Sequence, residues 1–144
     1  MRIDGCWYPC DDEITRPIVH AEILTGEGDW LKVLLLVDTG ADVTAFSADV
    51  LELFGLPIHE RHDRLGGVGG VADSVTLLAQ LRLTCDDGRK AVFRGEFSAF
   101  RSADALDMSV LGRDILDHFA VIADRQATLL ALIRDRHRYQ IVTD

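Results

Sequence analysis

A carboxylate stands at the end of a strand that has every mark of burial. Leu31, Val33, Leu34, Leu35, Leu36 and Val37 form an apolar run, and Asp38-Thr39-Gly40-Ala41 follows it directly. An ionised carboxylate at the mouth of a core is costly unless donors surround it or its charge is used. Gly40 allows a tight turn with its amide facing the acid, and the Thr39 hydroxyl can reach across to a second copy of the same turn. A fold for this chain must deliver the strand end to a surface and hold the turn there.

With 144 residues the chain forms one domain with a sizeable core. Its net charge of -9 argues against a phosphate-backbone partner, since Lys and Arg cluster only at Arg134, Arg136 and Arg138. Nucleic acid is therefore not expected. No stretch reaches the roughly 18 apolar residues of a membrane-spanning helix, and Met1 to Gly5 lacks the plan of a signal peptide. The expected location is the cytoplasm, without membrane contact. Cys6, Cys10 and Cys85 are too few for a disulfide scaffold and fit a reducing compartment. A Cys6/Cys10 metal half-site would need partners, yet His59 and His62 are not at zinc spacing, so no metal is expected.

Pro17–Leu24 and the run from Trp30 to Val37, joined by Thr25-Gly26-Glu27-Gly28-Asp29, read as a hairpin. Val43 to Phe46 is β-prone, Ser47 is placed to cap a short helix through Leu53, and Gly55 and Pro57 stop it. Residues 58–64 read as a polar connection, Leu65 to Val71 as a glycine-rich hairpin tip, and Val75 to Thr84 as a half-exposed alternating strand. A turn at Asp86 to Arg89 leads to a strand over Ala91 to Phe97, then a loop over Phe100 to Asp107 and a strand at Met108 to Leu111. Gly112-Arg113-Asp114 opens a second helix over Ile115 to Phe119, with Asp114 as its cap. Ala120 to Ala123 and Thr128 to Ile133 form a last hairpin, and Tyr139 to Val142 adds an edge strand. The class is all-β with two short helices, in a closed or sandwiched architecture.

Leu36 to Asp42, Leu65-Gly66-Gly67-Val68-Gly69-Gly70-Val71 and Val110-Leu111-Gly112-Arg113-Asp114-Ile115-Leu116 occur in one small chain in that order. Together they resemble the retropepsin-type aspartic proteases, over about Pro17 to Phe119. A dinucleotide-binding reading of Gly67-Val68-Gly69 fails because an alternating strand, not a helix, follows it.

The resemblance implies a retropepsin-like half-barrel carrying one active-site half per chain, and hence a homodimer that cleaves extended polypeptides. Asp38 would be catalytic and paired with its copy, one carboxylate keeping a proton while the other activates water; no cofactor or metal is needed. Thr39, Gly40 and Ala41 would support the acid. Ala41 offers no hydroxyl to the carboxylates, which points to activity in mildly acidic solution. Gly66, Gly67, Val68, Gly69 and Gly70 would form a flap over substrate. Asp42 and Arg113 would make a structural ion pair bracing the acid turn, with Gly112 and Asp114 in the second-motif turn. On this reading residues 17–144 are the protease domain, ending in the extra hairpin, and residues 1–16 an N-terminal arm without counterpart in the minimal pattern. Viral relatives end in a terminal strand soon after the second helix, whereas about 25 residues here continue beyond Phe119, so the dimer sheet is expected to be built differently. The competing reading is an inactive member of the same fold that serves dimerisation or peptide binding.

Overall fold

The computed structural model describes residues 1–55, 58–67 and 70–134, with 59–67 and 70–72 described by backbone alone. Val68, Gly69, Arg136, Arg138 and the expected strand from Tyr139 to Val142 lie outside the described residues. In chain order the elements are β1 (Arg2–Asp4), β2 (Cys6–Pro9), β3 (Thr15–Leu24), β4 (Trp30–Val37), β5 (Ala45–Phe46), α1 (Ala48–Phe54), β6 (Ile58–Gly67), β7 (Gly70–Thr84), β8 (Lys90–Phe100), β9 (Val110–Leu111), α2 (Arg113–Leu116), β10 (Ala120–Asp124) and β11 (Leu129–Ile133). A 3-10 turn at Ala103–Ala105 lies between β8 and β9.

The larger sheet has the order β2-β3-β4-β9-β5-β8-β7-β6, and it closes on itself because β3 also pairs with β7. The closure follows from alternation. Val19, Ala21 and Ile23 of β3, Val33, Leu35 and Val37 of β4, and Val75, Leu77, Ala79, Leu81 and Leu83 of β7 all turn inward and are buried. Phe46 fills the interior between these walls, meeting Phe54 edge-on with ring centroids 5.3 Å apart and Phe97 at 5.8 Å. The β3–β4 hairpin is fixed at its turn, where the Thr25 amide donates to the Asp29 carbonyl and the Asp29 amide to the Thr25 hydroxyl.

A smaller sheet, ordered β1-β11-β10, packs Ile3, Leu130 and Leu132 into the same core. The first sixteen residues thus hold β1, beside β11, β2, beside β3, and the first two residues of β3 itself. Gly5 is the crossing point between sheets: its amide donates to the Leu130 carbonyl, and a Cβ there would lie 2.7 Å from the Ile18 carbonyl oxygen. Trp7 fastens β2 to the tip of the last hairpin by donating from Nε1 to the carbonyls of Asp124 and Leu129, with Arg125 over its ring.

The structure corrects several boundaries. Residues 58–64 belong to β6 rather than to a loop, because Ile58, His59, Asp63 and Arg64 pair with β7 on either side of a register shift between His59 and Asp63, and a charged sequence suits a strand at a sheet edge. α2 spans Arg113–Leu116 instead of Ile115 to Phe119, since Gly112 occupies the cap position and residues 117–119 turn away. Ser47 precedes α1 but gives it no side-chain cap. Its hydroxyl instead lies 3.3 Å from that of Ser109, which also accepts the Ser47 amide. Cys6 and Cys10 face different neighbours, His20 Nε2 at 3.8 Å and the Tyr8 carbonyl at 3.7 Å.

On the barrel exterior, Arg82 grips Glu22 through two hydrogen bonds of 2.7 and 3.1 Å, Lys90 adds one of 2.9 Å, and the Arg82 guanidinium lies 3.9 Å from the Trp30 ring centroid. The Arg82 bonds first, then Lys90, hold the Glu22 carboxyl down from an ordinary 4.5 to about 2. A lowered carboxyl stabilises the fold fully above its unfolded value and loses that contribution as pH falls through the folded one. Water reaches Arg82 and Lys90, so the network contributes about 1–2 kcal/mol, less than the roughly 3 kcal/mol the shift would carry unscreened. Glu22→Gln is expected to lower unfolding free energy by that amount at pH 7, with the difference from wild type fading between pH 4.5 and 2 in urea titrations.

Candidate active site

The acid turn begins where β4 and β9 run parallel, with Val37 opposite Leu111. The Asp38 amide makes the next bond, donating to the Leu111 carbonyl at 3.2 Å, so the backbone of the acid is an extension of the sheet. The Ala41 amide closes the turn onto the Asp38 carbonyl at 3.2 Å, and the Gly40 amide donates to Asp38 Oδ1 at 2.8 Å. Asp38 is half-buried, while Thr39 and Gly40 are exposed. The carboxylate therefore has one oxygen oriented by its own turn, at an open surface.

A second segment supports the turn from below. The Ala41 carbonyl accepts the Arg113 amide at 2.9 Å and the Asp42 carbonyl accepts the Asp114 amide at 3.2 Å. Two amides of α2 that have no partner within the helix are thereby satisfied by the acid turn. Asp114 Oδ1 collects three donors: the Thr44 amide at 2.9 Å, the Thr44 hydroxyl at 2.7 Å and the Ile115 amide at 3.0 Å. The Thr44 hydroxyl in turn accepts the Gly112 amide at 3.1 Å. Gly112 is required by this close approach, because a Cβ would fall 2.5 Å from the Val43 carbonyl oxygen and 2.7 Å from the Thr44 nitrogen. Asp114 is not the helix cap expected from the sequence, since Gly112 holds that position and Asp114 lies inside the helix; its carboxylate instead crosslinks the two motif segments.

Asp42 and Arg113 form the expected ion pair, but its side chains remain 78% and 53% exposed. In this chain it is a surface pair and contributes little stability. Thr44 and Ser109 escaped the sequence reading. The available signal was a small polar residue inside each apolar run, Val43 to Phe46 and Met108 to Leu111.

Leu36 shares a strand face with Asp38 by alternation. With Ala41, Ala105 and Leu106 it packs, partly buried, against Ala45, Phe100 and Val110, giving an apolar patch beside the acid. In the β6–β7 hairpin Gly66 pairs with Val71 and Gly67 with Gly70, which puts the glycines at its tip, where Val68 and Gly69 lie outside the described residues.

Two solved proteases share this fold. A retropepsin-like aspartic protease from Rickettsia conorii superposes with a TM-score of 0.56 at 19% identity, covering 92% of this chain and 90% of that one. The EIAV protease, complexed with the inhibitor HBY-793, gives a TM-score of 0.54 at 21% identity, over 71% of this chain and 86% of that one. No curated protein sequence matches the chain. The model of the family described as retroviral aspartyl protease matches residues 13–122, and the chain belongs to that family.

Thr44→Val keeps the shape of the side chain but leaves the buried Gly112 amide and one Asp114 bond unmade, at a cost of about 2 kcal/mol. Arg113→Ala, at the exposed pair, is expected to cost less than about 1 kcal/mol. Urea unfolding of the two variants checks this order, and a larger loss for Arg113→Ala would reverse it.

Proposed function

We propose that the protein is a homodimeric aspartic endopeptidase in which Asp38 of each subunit supplies one carboxylate of a shared catalytic pair. The observation that carries this reading is the oriented, surface-facing Asp38 at the strand end, held by the Gly40 amide and by a crosslinked second segment. These 144 residues carry a single Asp-Thr-Gly, which supports a second copy as the source of the other carboxylate.

In the dimer the two carboxylates share one proton, because like charges at short range do not both ionise readily. The charged member takes a proton from a water held between them, and the water oxygen attacks the peptide carbonyl carbon. The protonated member donates to the carbonyl oxygen. Breakdown of the tetrahedral intermediate breaks the C–N bond as the nitrogen receives a proton from the pair. Thr39, exposed on the turn, would bond across the two-fold axis and fix the spacing of the acids. Ala41 leaves the pair without a side-chain hydroxyl donor.

The Gly66, Gly67, Val68, Gly69 and Gly70 tip would close over the cleft, its main-chain amides binding an extended peptide without selecting side chains. The patch formed by Leu36, Ala41, Ala105 and Leu106 favours apolar side chains next to the cut bond. Gly112 with Asp114 supports the turn from beneath, while Asp42 with Arg113 adds only an exposed pair at its side. The chemistry draws on no metal or cofactor. Among the described residues no helix is long and apolar enough to cross a membrane, and a cytoplasmic setting remains part of the proposal.

Asp38→Asn is expected to reduce cleavage of unfolded protein at least about 10³-fold between pH 4 and 6, since the variant pair cannot supply the charged base. Sedimentation should still show a dimer. Undiminished cleavage by the variant would remove Asp38 from the mechanism.

A further inference from the structure

We propose that the groove between the β3–β4 turn and the C-terminal end of α1 binds an arginine side chain of a partner polypeptide and serves as an exosite for basic substrates. Its use as an exosite rests on the endopeptidase reading above, whereas the binding itself does not involve Asp38.

The groove is a cavity of about 330 Å³, lined by Glu27, Asp29 and Leu31 from the hairpin and by Glu52, Leu53 and Phe54 from the helix. That volume stands at the lower end of the range for small-ligand clefts. Its two walls are joined by backbone. The Gly26 amide donates to the Phe54 carbonyl at 3.1 Å, so the turn and the helix end form one unit. Within the turn the Thr25 amide donates to the Asp29 carbonyl at 2.8 Å and the Gly28 amide to the Thr25 carbonyl at 3.1 Å, with Gly28 left-handed at φ 93°. α1 ends as sharply, at Gly55 with φ 56°. A preformed groove avoids much of the ordering cost of binding.

Two features select the occupant. Leu53 is 68% exposed, more than any other large apolar side chain among the described residues, and it stands on the groove wall with half-buried Leu31. Covering it with a ligand removes apolar surface from water. The second feature is charge. Glu27, Asp29 and Glu52 bring three carboxylates to the rim from two elements, and no cationic side chain lines it. Elsewhere Arg16 pairs with Asp12, Arg82 and Lys90 with Glu22, and Arg89 with Asp87. The last turn of α1 carries no basic residue either, so the carbonyl end of the helix adds to the negative potential.

A metal ion needs carboxylates gathered about one point, and among the described residues no group of three could hold one. A guanidinium on an aliphatic stem fits acids that are spread around an apolar wall. The stem lies along Leu31 and Leu53 while the planar fork meets carboxylates on either side. Asp38 lies seven residues along the chain from Leu31, roughly 23 Å at the rise of a strand. A substrate that uses both sites therefore carries its arginine at least about seven extended residues from the cut bond.

Titration of the isotope-labelled full chain with N-acetyl-arginine methylamide, followed by amide NMR, tests the binding. Saturable shifts are expected at residues 25–31 and 52–55, with affinity at least about fivefold weaker for the neutral citrulline analogue. Glu52→Gln and Leu53→Ser, both at exposed positions, should each weaken binding at least about threefold. Shifts scattered over the surface, equal binding of the citrulline analogue, tighter binding of calcium at the same amides, or variants that bind like wild type overturn the site. For the exosite, a peptide with Arg-Arg about eight residues from an apolar cut bond should show a KM at least about threefold higher in Glu52→Gln, with kcat unchanged and no effect on its Gln-Gln counterpart. Equal KM values overturn the exosite. If wild type binds the arginine probe but cleaves nothing, the endopeptidase reading falls and the groove stands.

Discussion

Three hydrogen bonds converge on one carboxylate oxygen, Asp114 Oδ1, and the geometry of the candidate site depends on them. The Asp38 turn is short and exposed, and an isolated turn of that kind would sample many conformations. Thr44 prevents this by donating twice to Asp114 while accepting the Gly112 amide, which clamps the chain leaving the turn to the chain entering α2. The parallel pairing of β4 with β9 fixes the other end of the turn. Asp38 is thus held from both sides by backbone positions rather than by packing around its own side chain.

The clamp also accounts for the distribution of polar groups. Thr44, Ser47 and Ser109 are buried, and the bonds between Ser47 and Ser109 join the start of β9 to the start of α1. Among the described residues no buried side-chain nitrogen or oxygen lacks a partner. Buried hydrogen bonds of this kind cost more to break on one side than an exposed ion pair, so Thr44 outweighs the more conspicuous Asp42 and Arg113. The more visible motif residues lie on the outside of the turn, and the residue that holds it lies beneath.

Much of the architecture was legible because alternation is a strong signal where one face is buried. The β3–β4 hairpin, the run Val75 to Leu83 in β7 and the final hairpin follow from the pattern alone, as does the place of Asp38 at a strand end. The pattern failed where pairing rather than side chains makes the strand. Residues 58–64 look like a polar connection, and only the ladder with β7 makes them β6. The Ser47 side chain matched a cap signal but found Ser109, a partner 62 residues away, which no local rule anticipates. Arg113 and Asp42 were foreseeable as a pair, whereas their exposure depends on how the turn sits on the barrel. For the same reason Thr44 was invisible: its importance comes from Asp114, 70 residues along the chain.

The central claim is that one chain holds half of a catalytic site. Specific peptidase activity measured across a dilution series, with the dimer fraction determined by sedimentation on the same samples, tests it most directly. The account predicts that activity per chain falls in proportion to dimer fraction and approaches zero as monomer predominates. Constant activity per chain in solutions that sediment as monomer would contradict it.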